Sequence, residues 1–253
     1  MKDIQIKQWE SLTHEERTKI LSRSEADISS IVEKVRPIVD EVRTRGDRAL
    51  IDLTRTFDRV ELSGRPLLVT EEEFSDAEKI VPDDVRTALS FAIRNVRKFH
   101  ETQKQEGLNL TEVSPGVFAG EKATPIPSCG LYVPHGRGSF PSMLYMLAVP
   151  AVVAGVEDIT VATPPNPDGS VDPACLLAAR LCGITRILRV GGSQAIAAFA
   201  YGTESVQRTA KIVGPGSMYV AAAKRLVAGV VDTGLPAGPS ESIVLADSTA
   251  EPY

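Results

Sequence analysis

The 253-residue sequence has few of the groups that carry metal or nucleophilic chemistry: three histidines and three cysteines. Cys129, Cys175 and Cys182 fit neither a disulfide framework nor a paired C-x-x-C zinc pattern, which points to a reduced, cytoplasmic setting. His14, His100 and His135 lie far apart, and no H-E-x-x-H, G-x-S-x-G or metal-spaced His/Asp cluster occurs. The N-terminal MKDIQIKQWESLTHEER contains no apolar core of signal-peptide length. The longest apolar run, Met143 to Val156, is too short to cross a bilayer and is interrupted by Pro150. Basic residues are not in excess: 28 Lys and Arg against 33 Asp and Glu give a formal net charge of −5, which disfavours nucleic acid or an acidic membrane as partner. What is present is a chain 43% hydrophobic and 24% charged, able to bury a core and long enough for one large domain or two ordinary ones.

Residues 1–100 read as helices. Thr13 with Glu16, and Thr70 with Glu73, have capping-box spacing. Ile28, Ile31, Val32, Val35, Val39 and Val42 follow a helical stripe, in which Pro37 predicts a kink or a fresh helix start. Gly46 ends that helix and Asp47 is placed to cap the next. Another helix follows Pro82, with Val85, Leu89, Ile93, Val96 and Phe99 on one face. Residues 110–125 alternate around Pro115-Gly116, as a hairpin does.

From Gly130 the pattern becomes strand, loop, helix, repeated. GLYVP, DITVATP, RILRV and KIV read as strands, with helices over 141–155, 173–182, from GGSQ through Tyr201, and 218–229. Such alternation implies right-handed βαβ units and a parallel sheet with helices on both faces. SIVLAD, after the Pro/Gly-rich LPAGPSE, reads as one more strand, and the sequence closes on it and a loop, the pattern expected of a domain that continues.

Ligands of such sheets sit beyond the carboxyl ends of the strands. Three glycine-rich loops fall there, each opening a helix: Tyr132 to Ser139, Gly191-Gly192-Ser193-Gln194, and Gly214-Pro215-Gly216-Ser217. Backbone N–H groups at a helix start attract phosphates and carboxylates. No loop completes G-x-G-x-x-G, since Tyr219 and Pro141 occupy the third glycine positions, and no P-loop is present. Taken singly, each loop reads equally well as a plain turn. Gln194 offers an amide suited to a ribose hydroxyl or a carboxamide, or is a solvated helix-start side chain. Tyr132 either contacts a cofactor or simply packs. His135 lies in a candidate loop, and Glu241, beside Ser240, is an acid or base without an identifiable partner. Pattern alone supports an α/β nucleotide binder and no particular reaction.

The stretches RGDRALIDLTRTFD, GLYVPHGRGSFPSMLYMLAVPAVVAGV, RVGGSQAIAAFAYGTESV, KIVGPGSMYVAAAKRLV and LPAGPSES resemble, in order and spacing, the histidinol dehydrogenase family, over about Ile28 to Asp247. The resemblance implies a homodimeric, zinc-containing oxidoreductase that converts L-histidinol through L-histidinaldehyde to L-histidine with two NAD⁺ in succession, the last step of histidine biosynthesis. It also implies a Rossmann-like parallel sheet domain plus part of a second α/β domain with a helical N-terminal region. The expected limits are 1–25 for a helical extension, 26–129 for the first part of domain 1, 130–235 for the NAD-binding domain 2, and 236–253 for a truncated return into domain 1. By the same resemblance Tyr132, Gln194 and Ser217 contact NAD and Ser240 contacts the substrate. Ser217 stands where the family has asparagine, and His135 where it usually has glycine. The family's catalytic acid–base pair and its zinc ligands fall beyond Tyr253, so the chain by itself is expected to be inactive. Two alternatives stay open: a related zinc- and NAD-dependent dehydrogenase of another small polar alcohol, such as a sulfonated diol, and a non-catalytic nucleotide-binding remnant.

Overall fold

The computed structural model describes residues 7–21, 28–105, 107–135, 138–234, 247 and 249–251. The expected capping box at the first helix is formed: the Thr13 N–H donates to Glu16 Oε2 at 3.0 Å, and the Glu16 N–H to Thr13 Oγ1 at 3.2 Å. Helix α1, His14–Leu21, follows. Helix α2, Ile28–Arg45, carries Pro37 inside it, so no fresh helix starts there. A mid-helix proline costs about 3 kcal/mol. Burial of Ile31, Val35, Val39 and Val42 along the stripe outweighs it, at about 1.5–3 kcal/mol for each side chain.

Helix α3, Asp47–Phe57, corrects the expected cap: the N-cap residue is Gly46, at φ 56°, and Asp47 is the first helical residue. The Asp47 N–H donates to Glu204 Oε2 at 2.7 Å, while the Asp47 carboxylate accepts from the Ser205 N–H at 3.2 Å and from the Ser205 hydroxyl. A helix start in the N-terminal half is therefore capped by a loop more than 150 residues away. Helix α4, Glu71–Ile80, opens with the complete Thr70/Glu73 capping box, and α5, Asp83–Glu101, starts after Pro82. The predicted hairpin is present as β1, Leu108–Ser114, and β2, Val117–Lys122, with Gly116 at φ 77° in the turn.

The parallel sheet contains β3, Ser128–Tyr132; β4, Asp158–Ala162; β5, Ile187–Leu188; and β6, Lys211–Val213, in the order β5-β4-β3-β6. The expected strand RILRV is thus shorter than its apolar run. Helices α6, Pro141–Val153; α7, Pro173–Cys182; α8, Gly192–Tyr201; and α9, Met218–Val227, make the crossovers. Strand residues alternate between two cores, as period-2 geometry requires. Cys129, Leu131, Ile159, Val161 and Ile187 face the core shared with α4–α7, whereas Tyr132, Ala162, Leu188 and Ile212 face the one shared with α2, α3, α8 and α9. The result is a mixed α/β architecture with helices on both faces of a parallel sheet, as the alternation predicted. The predicted strand SIVLAD, apart from Asp247, lies outside the described residues.

Arg189, just after β5, is fully buried. Its Nη1 donates to Glu73 Oε1 at 2.7 Å and to the Gly169 carbonyl at 3.0 Å; its Nη2 donates to the Leu68 carbonyl at 3.2 Å and to Glu73 Oε2. Glu73 thus closes the cap of α4 and neutralises a buried cation at the sheet edge. Burial works to raise the Glu73 pKa, but the bonds from Arg189 and the Thr70 N–H, with the Arg189 and Arg65 charges, outweigh it and lower it. Its stabilising contribution is therefore complete above the unfolded carboxylate range, near pH 4.3, and is lost as pH falls through the lower folded value. Glu73→Gln leaves the Arg189 charge unopposed and is expected to cost about 3 kcal/mol at pH 7. Denaturant unfolding at pH 7 and in acid measures both effects; an unchanged midpoint in the variant at pH 7 would remove Glu73 from this role.

Candidate functional site

Strand β3 pairs with β4 on one side and with β6 on the other, so the strand order reverses between β3 and β6. Open parallel sheets bind ligands at such a reversal, beyond the carboxyl ends. The loops after β3, β5 and β6 all leave the sheet at that edge.

Tyr132 is the last residue of β3 and is buried. The Gly192 N–H donates to its hydroxyl at 3.0 Å, which holds the start of α8 against the end of β3. Burial pushes the phenol pKa up to about 12; the Gly192 hydrogen bond opposes this and the Asp58 charge adds to it. The third loop meets the same residue from the other side. Gly214, at φ 122°, lies so close that a Cβ there would stand 2.1 Å from the Tyr132 carbonyl oxygen. Only glycine combines that dihedral with that approach.

Lys224, buried on α9, donates from Nζ to the Gly214 carbonyl at 2.5 Å and fixes the turn from behind. Burial lowers its pKa. The sequence reading missed this residue, yet a signal exists: Lys224 interrupts the apolar stripe of Val220, Ala223 and Val227. A lysine in such a stripe either snorkels to water or finds a buried acceptor.

Gln194 lies in the first turn of α8 and is buried, which removes the solvated alternative. Its amide folds back on its own helix start: a Cβ at Gly192 would stand 2.6 Å from Gln194 Oε1. Ser217 is the exposed N-cap residue of α9, and its hydroxyl makes no capping bond. Gly191 likewise gives α8 no side-chain cap. Two helix starts whose own N-cap residues give no side-chain cap therefore sit at the strand reversal, with the Gln194 amide in the first turn of one and the Ser217 hydroxyl at the N-cap of the other. Such a donor set suits the phosphates and hydroxyls of a nucleotide.

The first loop is anchored toward α7. The Ser139 hydroxyl donates to Asp172 Oδ1 at 2.6 Å, and the same oxygen caps α7 by accepting from the Ala174 and Cys175 N–H groups. His135 is half-buried in this loop. Ser240 and Glu241 lie outside the described residues, as do Gly136 and Arg137. Among the described residues no group of three or more His, Cys, Asp or Glu side chains could hold a metal ion, so they do not fit zinc. The three cysteines are buried, and burial raises each thiol pKa to about 11, which keeps them protonated at neutral pH.

The family profile described as histidinol dehydrogenase matches residues 21–253. A histidinol dehydrogenase homolog of Rhizobium meliloti (strain 1021) is 53% identical over 249 residues, covering 98% of this chain and 55% of its own length. A histidinol dehydrogenase of a Synechocystis species is 48% identical over 241 residues, covering 95% of this chain and 56% of its own. The crystal structure of histidinol dehydrogenase from Elizabethkingia anophelis superimposes with a TM-score of 0.82 at 39% identity, covering 91% of this chain and 52% of that one. The chain spans about half the length of the relatives it matches.

The approach of Gly214 to Tyr132 can be tested directly. Gly214→Ala is expected to cost about 2 kcal/mol or more, since both the backbone dihedral and the contact forbid a side chain. Thermal and denaturant unfolding measure the loss, and a variant as stable as the parent would show that the turn is not pinned.

Proposed function

The chain belongs to the histidinol dehydrogenase family, and on that premise we propose that it forms the NAD-binding side of an enzyme that oxidises L-histidinol through the aldehyde to L-histidine. The observation that carries this reading is the joining of the glycine loops after β5 and β6 to the end of β3 at Tyr132. When bound, NAD⁺ accepts hydride from the carbinol carbon, once for each of the two oxidations. This chain's residues would hold and orient it. The starts of α8 and α9 face its phosphates, the Gln194 amide takes a ribose hydroxyl or the carboxamide, and the exposed Ser217 hydroxyl supplies a further contact. Ser240, in the Pro-Ser-Glu segment, is assigned to the substrate.

No step is assigned to zinc, whose ligands are not among the described residues. We place the base that removes the alcohol proton, which such an oxidation requires, in the further half that the relatives possess. A homodimer and a cytoplasmic setting belong to the same reading. Among the described residues no helix is long and apolar enough to cross a membrane. The comparisons name histidinol dehydrogenases and their homologues, which favours this reading over another small polar alcohol as substrate and over a non-catalytic remnant.

Titration calorimetry of the purified chain with NAD⁺ tests the binding half of the proposal. The chain is expected to bind NAD⁺, and Gln194→Ala to weaken binding by about 1 kcal/mol, the scale of one lost polar contact. Equal affinity in the variant would take Gln194 out of the site. Addition of histidinol to the chain with NAD⁺ is expected to give no NADH, while the same protein extended to the length of its relatives is expected to form two NADH per histidinol consumed.

A further inference from the structure

Two charged side chains are buried among the described residues, Arg189 and Lys224. Glu73 neutralises Arg189. Lys224 has no such partner there: burial alone shifts its pKa, downward, with no neighbouring acid contributing. An ammonium carries three N–H donors. The Gly214 carbonyl takes one, at 2.5 Å, and no other acceptor among the described residues takes the rest. A buried cation without a counter-charge is costly. An anion brought close to it relieves that cost.

The place of the ammonium sharpens the point. Side chains of a helix lean toward its N-terminus. Lys224, well inside α9, reaches back to the glycine turn that precedes the helix. The partial positive charge of the helix start lies at that same end. The groups that usually offset it are missing: the Ser217 side chain makes no capping bond, and the first turn holds no acidic residue. The turn is closed on its core side. Gly214 lies against the Tyr132 carbonyl, and a Cβ on Gly216 would stand 2.5 Å from Val220 Cβ. Its outer side is open, since Ser217, Met218 and Tyr219 are exposed. Uncompensated positive charge thus lies behind a tight turn that meets solvent. The start of α8 differs, because the buried cation nearest to it in sequence, Arg189, is already paired with Glu73.

Resting on the nucleotide reading above, we propose that Lys224 is the positioning residue of a pyrophosphate subsite at the turn 214–217. The ammonium holds the turn by the Gly214 carbonyl and adds its charge to that of the helix start. The pyrophosphate of the dinucleotide, bound on the outer side of the turn, supplies the missing counter-charge. Of the three glycine-rich loops this one takes the phosphates, and the start of α8, with Gln194, is left to a ribose hydroxyl or the carboxamide.

Titration calorimetry of the whole chain with NAD⁺ and with inorganic pyrophosphate, at constant ionic strength, is the test. Pyrophosphate is expected to bind the parent chain and to compete with NAD⁺. Lys224→Met keeps the apolar stem without the charge and is expected to weaken both ligands about tenfold or more, the scale of a lost contact to a charged group. Lys224→Arg keeps the charge and is expected to restore most of that affinity; circular dichroism melts verify the fold of each variant. A folded Met variant with the parent's affinities, or a folded Arg variant as weak as the Met variant, overturns the proposal while leaving the nucleotide site in place. Where the variants do not fold, the parent alone decides: pyrophosphate that fails to displace NAD⁺ overturns the subsite. A parent that binds no NAD⁺ overturns the underlying reading instead.

Discussion

The candidate site depends on one residue at the end of one strand. Tyr132 accepts the Gly192 N–H on its hydroxyl and offers its backbone carbonyl as the surface against which Gly214 lies. Both contacts are close, and they lie in partly to fully buried surroundings, where a hydrogen bond is strong and a steric clash has little room to relax. Together they fix the starts of α8 and α9 relative to β3, and so decide where the first backbone N–H groups of both helices point. Lys224 completes the arrangement by holding the Gly214 carbonyl from within the core. The burial of Tyr132 gives it two roles at once: its ring fills the core under α8, and its polar end organises the loops above.

A second set of contacts ties the N-terminal helices to the sheet, and these contacts are long-range. Glu73 caps its own helix and opposes Arg189 at the far side of β5. Glu204 caps α3 through the Asp47 N–H, and Asp47 answers through Ser205. The RGD and TESV stretches, which help to mark the family, are joined in this clasp. In this chain those stretches make structural contacts. Helices α2–α5 cover both faces of the sheet through these contacts and the two cores.

The division we propose between holding and reacting rests on the residues present. The described loops provide an amide, a hydroxyl, glycine turns and helix starts, a donor set of the kind that suits phosphates and sugar hydroxyls. The three thiols are kept protonated by burial, and no cluster among the described residues suits a metal. The chain spans about half the length of the relatives it matches.

The sequence by itself determined the fold class, most element positions and the three loops, because these follow from local periodicity and from glycine and proline chemistry. Both capping boxes, the hairpin at Pro115-Gly116 and the strand–helix alternation after Gly130 are of this kind. Only the tertiary structure decided that α2 continues past Pro37, because burial of a stripe on distant helices offsets the local penalty. It alone moved the cap of α3 from Asp47 to Glu204, since that partner lies more than 150 residues away. It also brought Lys224 beneath Gly214. That contact leaves no spacing rule in the chain: it depends on how helices dock on the sheet, and docking is set by the shape of the whole core.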